Sequence, residues 1–137
     1  MALETPFTRP GRFWRGNLHT HSNLSDGHRT PEQVCAFYAR NGYDFISLTE
    51  HFLERYDWPI ADTRPFRSDA FTTIIGAELH PMQDRMELGR EWHILAVGLP
   101  FDFAPSPLEE TGPELAQRAL AAGAYVAAAH PMWYLMT

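Results

Sequence analysis

Apolar positions along this chain fall in short runs separated by polar stretches that glycine and proline punctuate. Phe13 to Leu18 predicts a first short strand, and a polar loop follows from His19 to Arg29. Thr30-Pro31-Glu32-Gln33 has the marks of a helix start: a threonine N-cap, a proline in the first turn and a glutamine three residues after the cap. The helix is expected to reach about Arg40 with Val34, Phe37 and Tyr38 on one face, and Asn41-Gly42 ends it. Tyr43 to Thr49, aromatic and β-branched, predicts a second strand. A strand, helix and strand in this order predict a right-handed parallel crossover.

Phe52 to Asp69 is polar, contains Pro59 and Pro65, and reads as a loop with a short helical piece. Phe71 to Leu79 predicts a third strand, His80 to Arg90 a hairpin tip with Gly89 at its end, and Glu91 to Gly98 a fourth strand. Pro100 to Gly112 is a proline-marked loop, and Pro113 to Ala122 a helix that Gly123 stops. Ala124 to Ala129, small and continuously apolar, reads as a buried strand of the parallel kind and runs into His130-Pro131.

This pattern sets the chemistry-bearing residues at strand ends. His19 and His21 follow the first strand, and two positions apart in extended chain share a face. Asp26 follows in a Ser-Asp-Gly turn. Glu50 and His51 follow the second strand, Glu78 is near the end of the third and His130 follows the fifth. His93 sits at the start of its strand, and an antiparallel strand would return that end to the same rim. In barrels of alternating strands and helices, chemistry gathers on that rim.

A His-x-His pair is weak by itself: seven histidines in this length give about 0.3 such pairs by chance. The later residues supply the context. Glu78 ends an otherwise apolar strand, where a carboxylate is costly to bury unless it is paired or bound to metal. Imidazoles and carboxylates in this mixture suit divalent ions. Glu50 reads equally as a carboxylate that orients a neighbouring imidazole or as a solvated charge. Asp26 has an ordinary alternative in shaping its turn. His28 and His80 read as ordinary loop residues, the tryptophans as packing and Cys35 as a small buried hydrophobe.

Composition narrows the class. The chain has 137 residues and a net charge of -6, which suits one soluble globular domain and argues against a duplex nucleic-acid surface. All 11 basic residues are arginine, so lysine nucleophiles, Schiff bases and carbamylated lysine bridges are excluded. One cysteine, no signal-like start and no apolar stretch near the ~20 residues of a membrane span lead to the expectation of a cytoplasmic protein.

Taken together, His19-Thr20-His21 with Ser25-Asp26-Gly27, Leu48-Thr49-Glu50-His51, Gly76-Ala77-Glu78, His93 and the Ala-His-Pro of His130 resemble the PHP family, the polymerase and histidinol phosphatase superfamily. Where the family usually has Thr-Asp-His, this chain has Thr-Glu-His. The resemblance implies a distorted (β/α)7 TIM-like barrel with two or three divalent metals, commonly Zn, Mn or Fe. It implies hydrolysis of phosphate esters by a metal-activated hydroxide. It makes His19, His21, Asp26, His51, Glu78, His93 and His130 the metal ligands. Glu78 would bridge two ions, and Glu78, His51 and His130 would carry the chemistry.

Arg29, Arg85 or Arg90 would clamp a substrate phosphate, on a phosphorylated small molecule or nucleotide. Loops Phe52 to Asp69 and Pro81 to Arg90 would set specificity. The family's closing Asp-x-His does not follow His130, and a full barrel takes roughly 200 residues or more. The expectation is therefore the N-terminal portion of such a domain over 1–137, finished by further chain or by a second chain. Its open strand edge would favour self-association. Two other functions fit the same residues: an amidohydrolase-like enzyme, and a metal-binding but inactive regulatory or scaffold domain.

Overall fold

The computed structural model describes residues 10–82 and 92–132. Five strands form one mixed sheet in chain order: β1 (Gly16–Asn17), β2 (Phe45–Phe52), β3 (Thr72–Leu79), β4 (Ile94–Val97) and β5 (Tyr125–Ala128). The β1–β2 and β2–β3 pairs are parallel, and the β3–β4 and β4–β5 pairs antiparallel. Only β4 is reversed, so the start of β4 lies beside the ends of β2, β3 and β5.

Two α-helices are described, α1 (Pro31–Arg40) and α2 (Gly112–Ala121). The expected start of α1 is observed: the Gln33 amide donates to Thr30 Oγ1 and the Thr30 amide to Gln33 Oε1. Thr111 and Glu114 cap α2 in the same way. The passage from β2 to β3 contains no α-helix, only two short 3-10 turns, Glu54–Tyr56 and Arg64–Phe66. Strand–helix alternation is thus incomplete, and the fold is a mixed α/β half-barrel sheet with few helices.

Strand register separates two faces. Ile46 and Leu48 of β2, Ala77 and Leu79 of β3, and Ile94 and Ala96 of β4 share one face, because paired residues point the same way. Val34 and Cys35 of α1 pack on the β2 part of this face together with Ala61 and Phe71. Leu115 and Ala119 of α2 pack on the rest with Phe52, Leu99 and Phe103. Leu79 and Ile94 are almost fully buried, each stabilising the fold by about 1.5–3 kcal/mol relative to exposure. The opposite face is polar at its core: Ser47, Thr49 and His51 on β2 lie beside Gly76 and Glu78 on β3. A Cβ at Gly76 would come within 2.7 Å of the Ala96 carbonyl oxygen and Ser47 Oγ, so only glycine lets the strands approach here.

Several expectations are corrected. β1 is two residues long, and Phe13 and Trp14 are exposed. Ladder pairing with β3 continues through Phe52, so Glu50 and His51 lie inside β2 rather than after it. Phe37 is exposed, its place on the buried face of α1 taken by Cys35. β5 is antiparallel to β4 at the sheet edge, with Tyr125 and Ala128 exposed rather than enclosed. The antiparallel β3–β4 pairing agrees with a hairpin-like connection; Gly89 and Glu91 lie outside the described residues. No described helix is long and apolar enough to cross a membrane.

Cys35 is 1% exposed, and burial pushes its thiol up to about 11. The native protein is expected to resist alkylation by iodoacetamide near neutral pH and to react once denatured. Rapid labelling of the folded chain, read by mass spectrometry, would contradict this packing.

Candidate metal centre

Glu78, next to last in β3, is on the polar face and has no solvent exposure. Its Oε2 lies 3.3 Å from His19 Nε2, 3.3 Å from His21 Nε2 and 3.1 Å from His51 Nδ1. Its Oε1 lies 2.6 Å from His93 Nδ1 and 3.2 Å from His130 Nε2. One carboxylate thus faces five imidazoles, three on one oxygen and two on the other. Asp26, half-exposed, lies beyond the His51 and His21 rings from Glu78, its Oδ2 3.3 Å from His51 Nε2 and its Oδ1 3.8 Å from His21 Nδ1.

Each element delivers its residue for a local reason. β1 ends at Asn17, so the strand alternation expected for His19 and His21 does not apply. The loop is held instead by backbone bonds, the Thr49 amide donating to the Thr20 carbonyl and the Gly27 amide to the Ser22 carbonyl. The two rings nevertheless converge, with Nε2 atoms 3.1 Å apart. A Cβ at Gly27 would lie 2.8 Å from the His21 and Ser22 carbonyl oxygens, so the loop can close only over glycine. His51 pairs in register with Glu78. His93 arrives because β4 is reversed. The alternation of β5 would turn His130 to the apolar face, but its left-handed backbone, φ 29°, returns the ring to Glu78.

Glu50 is buried on the other face of β2 and points away from this cluster. Its carboxylate accepts from the Ser22 amide at 2.9 Å, from Ser22 Oγ at 2.5 Å and from Ser25 Oγ. Ser25 Oγ lies 3.4 Å from His21 Nδ1. Glu50 therefore holds the loop that carries His19, His21 and Asp26; the solvated-charge reading does not survive its full burial.

His80, expected as an ordinary loop residue, belongs to the cluster. It is 8% exposed, and its Nε2 lies 2.9 Å from His51 Nδ1. Its ring meets that of His93 edge-on at 4.3 Å. Glu78-Leu79-His80 repeats the two-residue spacing of His19-Thr20-His21, a signal available in the sequence. Arg29 does not join: its guanidinium lies over the Phe37 ring, 5.2 Å from the centroid, and pairs with none of these carboxylates. Arg85, Arg90 and Trp133 lie outside the described residues, and His28 is exposed.

The donors fit divalent ions. Among the described residues, three sets of ligand atoms lie mutually within 4.8 Å: His51, Glu78, His80 and His93; His19, His21 and Glu78; and His21, Asp26 and His51. Imidazole nitrogen with carboxylate oxygen suits Zn, Mn or Fe, and the sharing of Glu78, His21 and His51 makes the sets contiguous. Electrostatics favour the ligating forms. Burial, then the neighbouring His51, lowers His21 to about 4. Burial, then His93, lowers His80 to about 3. Burial opposes ionisation of Glu78, but the bonds with His19 and His93 outweigh it and hold the carboxyl below its usual range.

Two outcomes are expected. Folded His21 and His80 bind protons more weakly than the unfolded chain, whose histidines titrate near 6.5. Their contribution to stability is complete above that value and is lost as pH falls towards about 4 and about 3 respectively. The depressed Glu78 adds loss of the same sign below its ordinary value of 4.5. The urea midpoint of chelator-treated protein should fall steadily below pH 6.5 and be flat from there to the ordinary thiol value of 9.0; a midpoint unchanged down to pH 4 would refute this assignment. Glu50→Gln leaves donors that an amide cannot all satisfy, and should lower unfolding stability by about 1–3 kcal/mol. Denaturation no different from wild type would show that Glu50 does not hold the loop.

No family model matches the chain, and no curated protein does. Among solved structures, it is similar to a two-domain protein from Bacteroides vulgatus ATCC 8482 that contains a predicted PHP-like metal-dependent phosphoesterase. The two share 27% identity with a TM-score of 0.64, over 88% of this chain and 36% of that one. The chain thus spans about a third of the length of this relative.

Proposed function

We propose that the chain is a metal-dependent phosphoesterase of the PHP type, holding two or three divalent ions and acting on phosphate monoesters of small molecules or nucleotides. The observation that carries this reading is the placement of Glu78, whose two carboxylate oxygens face separate groups of imidazoles. The similarity to a protein containing a predicted phosphoesterase supports the same reaction class. His19, His21, Asp26, His51, Glu78, His93 and His130 would hold the ions.

Bound divalent ions supply Lewis acidity to phosphoryl oxygens and lower the pKa of a water. The chain's own groups do the rest. Glu78 places a full negative charge between the imidazole sets, which lets cations sit close together. His21, kept neutral by burial, offers a lone pair near neutral pH. Asp26, half-exposed, would offer its carboxylate beside His51 and His21. Arg55 takes the phosphate-clamping role that Arg29 is not positioned for. It lies over Tyr56, 4.8 Å from the ring centroid, and that ring lies 6.3 Å from His51. Its charge bears on His80.

Purified protein should carry at least one tightly held divalent ion per chain by elemental analysis. With added Mn²⁺ it should hydrolyse members of a phosphomonoester panel, and Glu78→Gln should reduce both metal retention and turnover by more than about 100-fold. A metal-free protein whose stability ignores chelators would overturn the proposal. Tightly held metal without turnover would support the metal-binding, non-catalytic alternative instead.

A further inference from the structure

We propose that His80 is itself a metal ligand, and that it forms one nitrogen-rich cation site with Glu78, His93 and His51. The inference rests on the reading of this cluster as a metal centre and extends it to a residue outside the ligand set that the PHP resemblance implies.

The backbone supplies the first argument. Glu78 faces the polar side of the sheet and Leu79 the apolar side, and His80, the first residue past β3, returns its ring to the polar side against His51 and His93. One strand end therefore delivers two donors to one space. Geometry supplies the second. His80 Nε2 is 2.9 Å from His51 Nδ1, His51 Nδ1 is 3.1 Å from Glu78 Oε2, and His93 Nδ1 is 2.6 Å from Glu78 Oε1. One ligand atom from each of the four residues lies within 4.8 Å of every other, as three imidazoles and a carboxylate around one ion require.

A purely orienting role for His80 explains less. It would have His80 Nε2 and His51 Nδ1 share a hydrogen bond in the direction their tautomers set, and it accounts for that pair alone. A shared ion accounts for the convergence of all four residues, because the same His51 nitrogen also lies 3.1 Å from the buried Glu78 carboxylate.

His51 adds a chemical reason. Its Nδ1 faces His80 and Glu78, while its Nε2 faces Asp26. A neutral imidazole has one lone-pair nitrogen, so His51 serves one of these sides at a time. If His51 turns its lone pair to Asp26, Glu78 and His93 alone would be too few donors. With His80 the site keeps three protein donors and an open position, the arrangement that admits water or substrate.

The test is zinc binding by the full chain, stripped with chelator and titrated with Zn²⁺ alone. Wild type, His80→Phe, His80→Glu and the exposed-site control His28→Ala are compared, with stoichiometry by elemental analysis and affinity by competition with a chromogenic chelator. Phenylalanine keeps a ring without nitrogen, whereas glutamate restores a donor of similar reach. His80→Phe is expected to lose one equivalent, or to bind it more than about 100-fold more weakly, beyond what loss of a non-ligating partner costs. His80→Glu should restore the equivalent, and His28→Ala should match wild type. The Co²⁺-substituted protein gives an independent readout: His80→Phe should change the visible d–d bands.

Full stoichiometry in His80→Phe, with affinity within 100-fold of wild type and an unchanged cobalt spectrum, overturns the proposal and leaves His80 an orienting residue. Absence of zinc from wild type overturns the metal-centre reading itself, a separately recognisable result. Circular dichroism monitors folding; should His80→Phe fail to fold, His80→Ala is judged by the same criteria.

Discussion

A carboxylate without solvent exposure, deep in a sheet, is the constraint around which this molecule is organised. Burying an ionised Glu78 alone would cost several kcal/mol or more. The chain meets that cost with histidines drawn from a loop, from β2, from the positions just past β3 and just before β4, and from the turn after β5. Six of its seven histidines gather there, and only His28 stands apart. Because burial and partners also keep His21 and His80 from protonating near neutral pH, positive charge around Glu78 is limited. The polar side of the sheet is thus a place where a bound cation would stabilise what the protein has already paired.

The rest of the fold reads as support for that arrangement. Helices α1 and α2 cover the apolar side of the sheet, leaving the polar side to the cluster. Reversal of β4 brings His93 to the same rim as the ends of β2, β3 and β5. Glu50, one residue from His51, works on the opposite face by gripping Ser22 and Ser25. Adjacent residues of one strand therefore serve the site by different routes, His51 by facing the cluster and Glu50 by fixing a loop.

Much of this was legible in the chain because it depends on local rules. Thr30 and Gln33 announce a helix start by capping chemistry, and a lone glutamate in an apolar strand announces a partnered carboxylate. The antiparallel β4 followed from the need to return His93 to the rim. What escaped depends on tertiary context. His80 precedes Pro81 and reads as turn, although its spacing from Glu78 carried the same signal as the His19 and His21 pair. Phe37 and Tyr38 look equivalent by periodicity, but the sheet lies under Tyr38 and not Phe37. β5 is small and apolar, like an enclosed strand, yet it lies at the edge. Neither the length of β2 nor the left-handed turn at His130 follows from the nature of its residues; pairing with β3 fixes the first. The PHP likeness has support from a relative of low identity, whereas the (β/α)7 closure does not.

The strands stand in the sheet in chain order, yet the donors around Glu78 run from His19 to His130. No single segment contains the cluster, so it exists only while the whole sheet does. Occupancy and folding are consequently linked quantities: an ion that binds only the assembled sheet, at 100 times its dissociation constant, adds about 2.7 kcal/mol to stability. Reciprocally, loosening of the sheet at a distance, under α2 or along the β5 edge, would reach a bound ion as weaker retention. A substitution that touches no donor can then present itself as a defect in metal content.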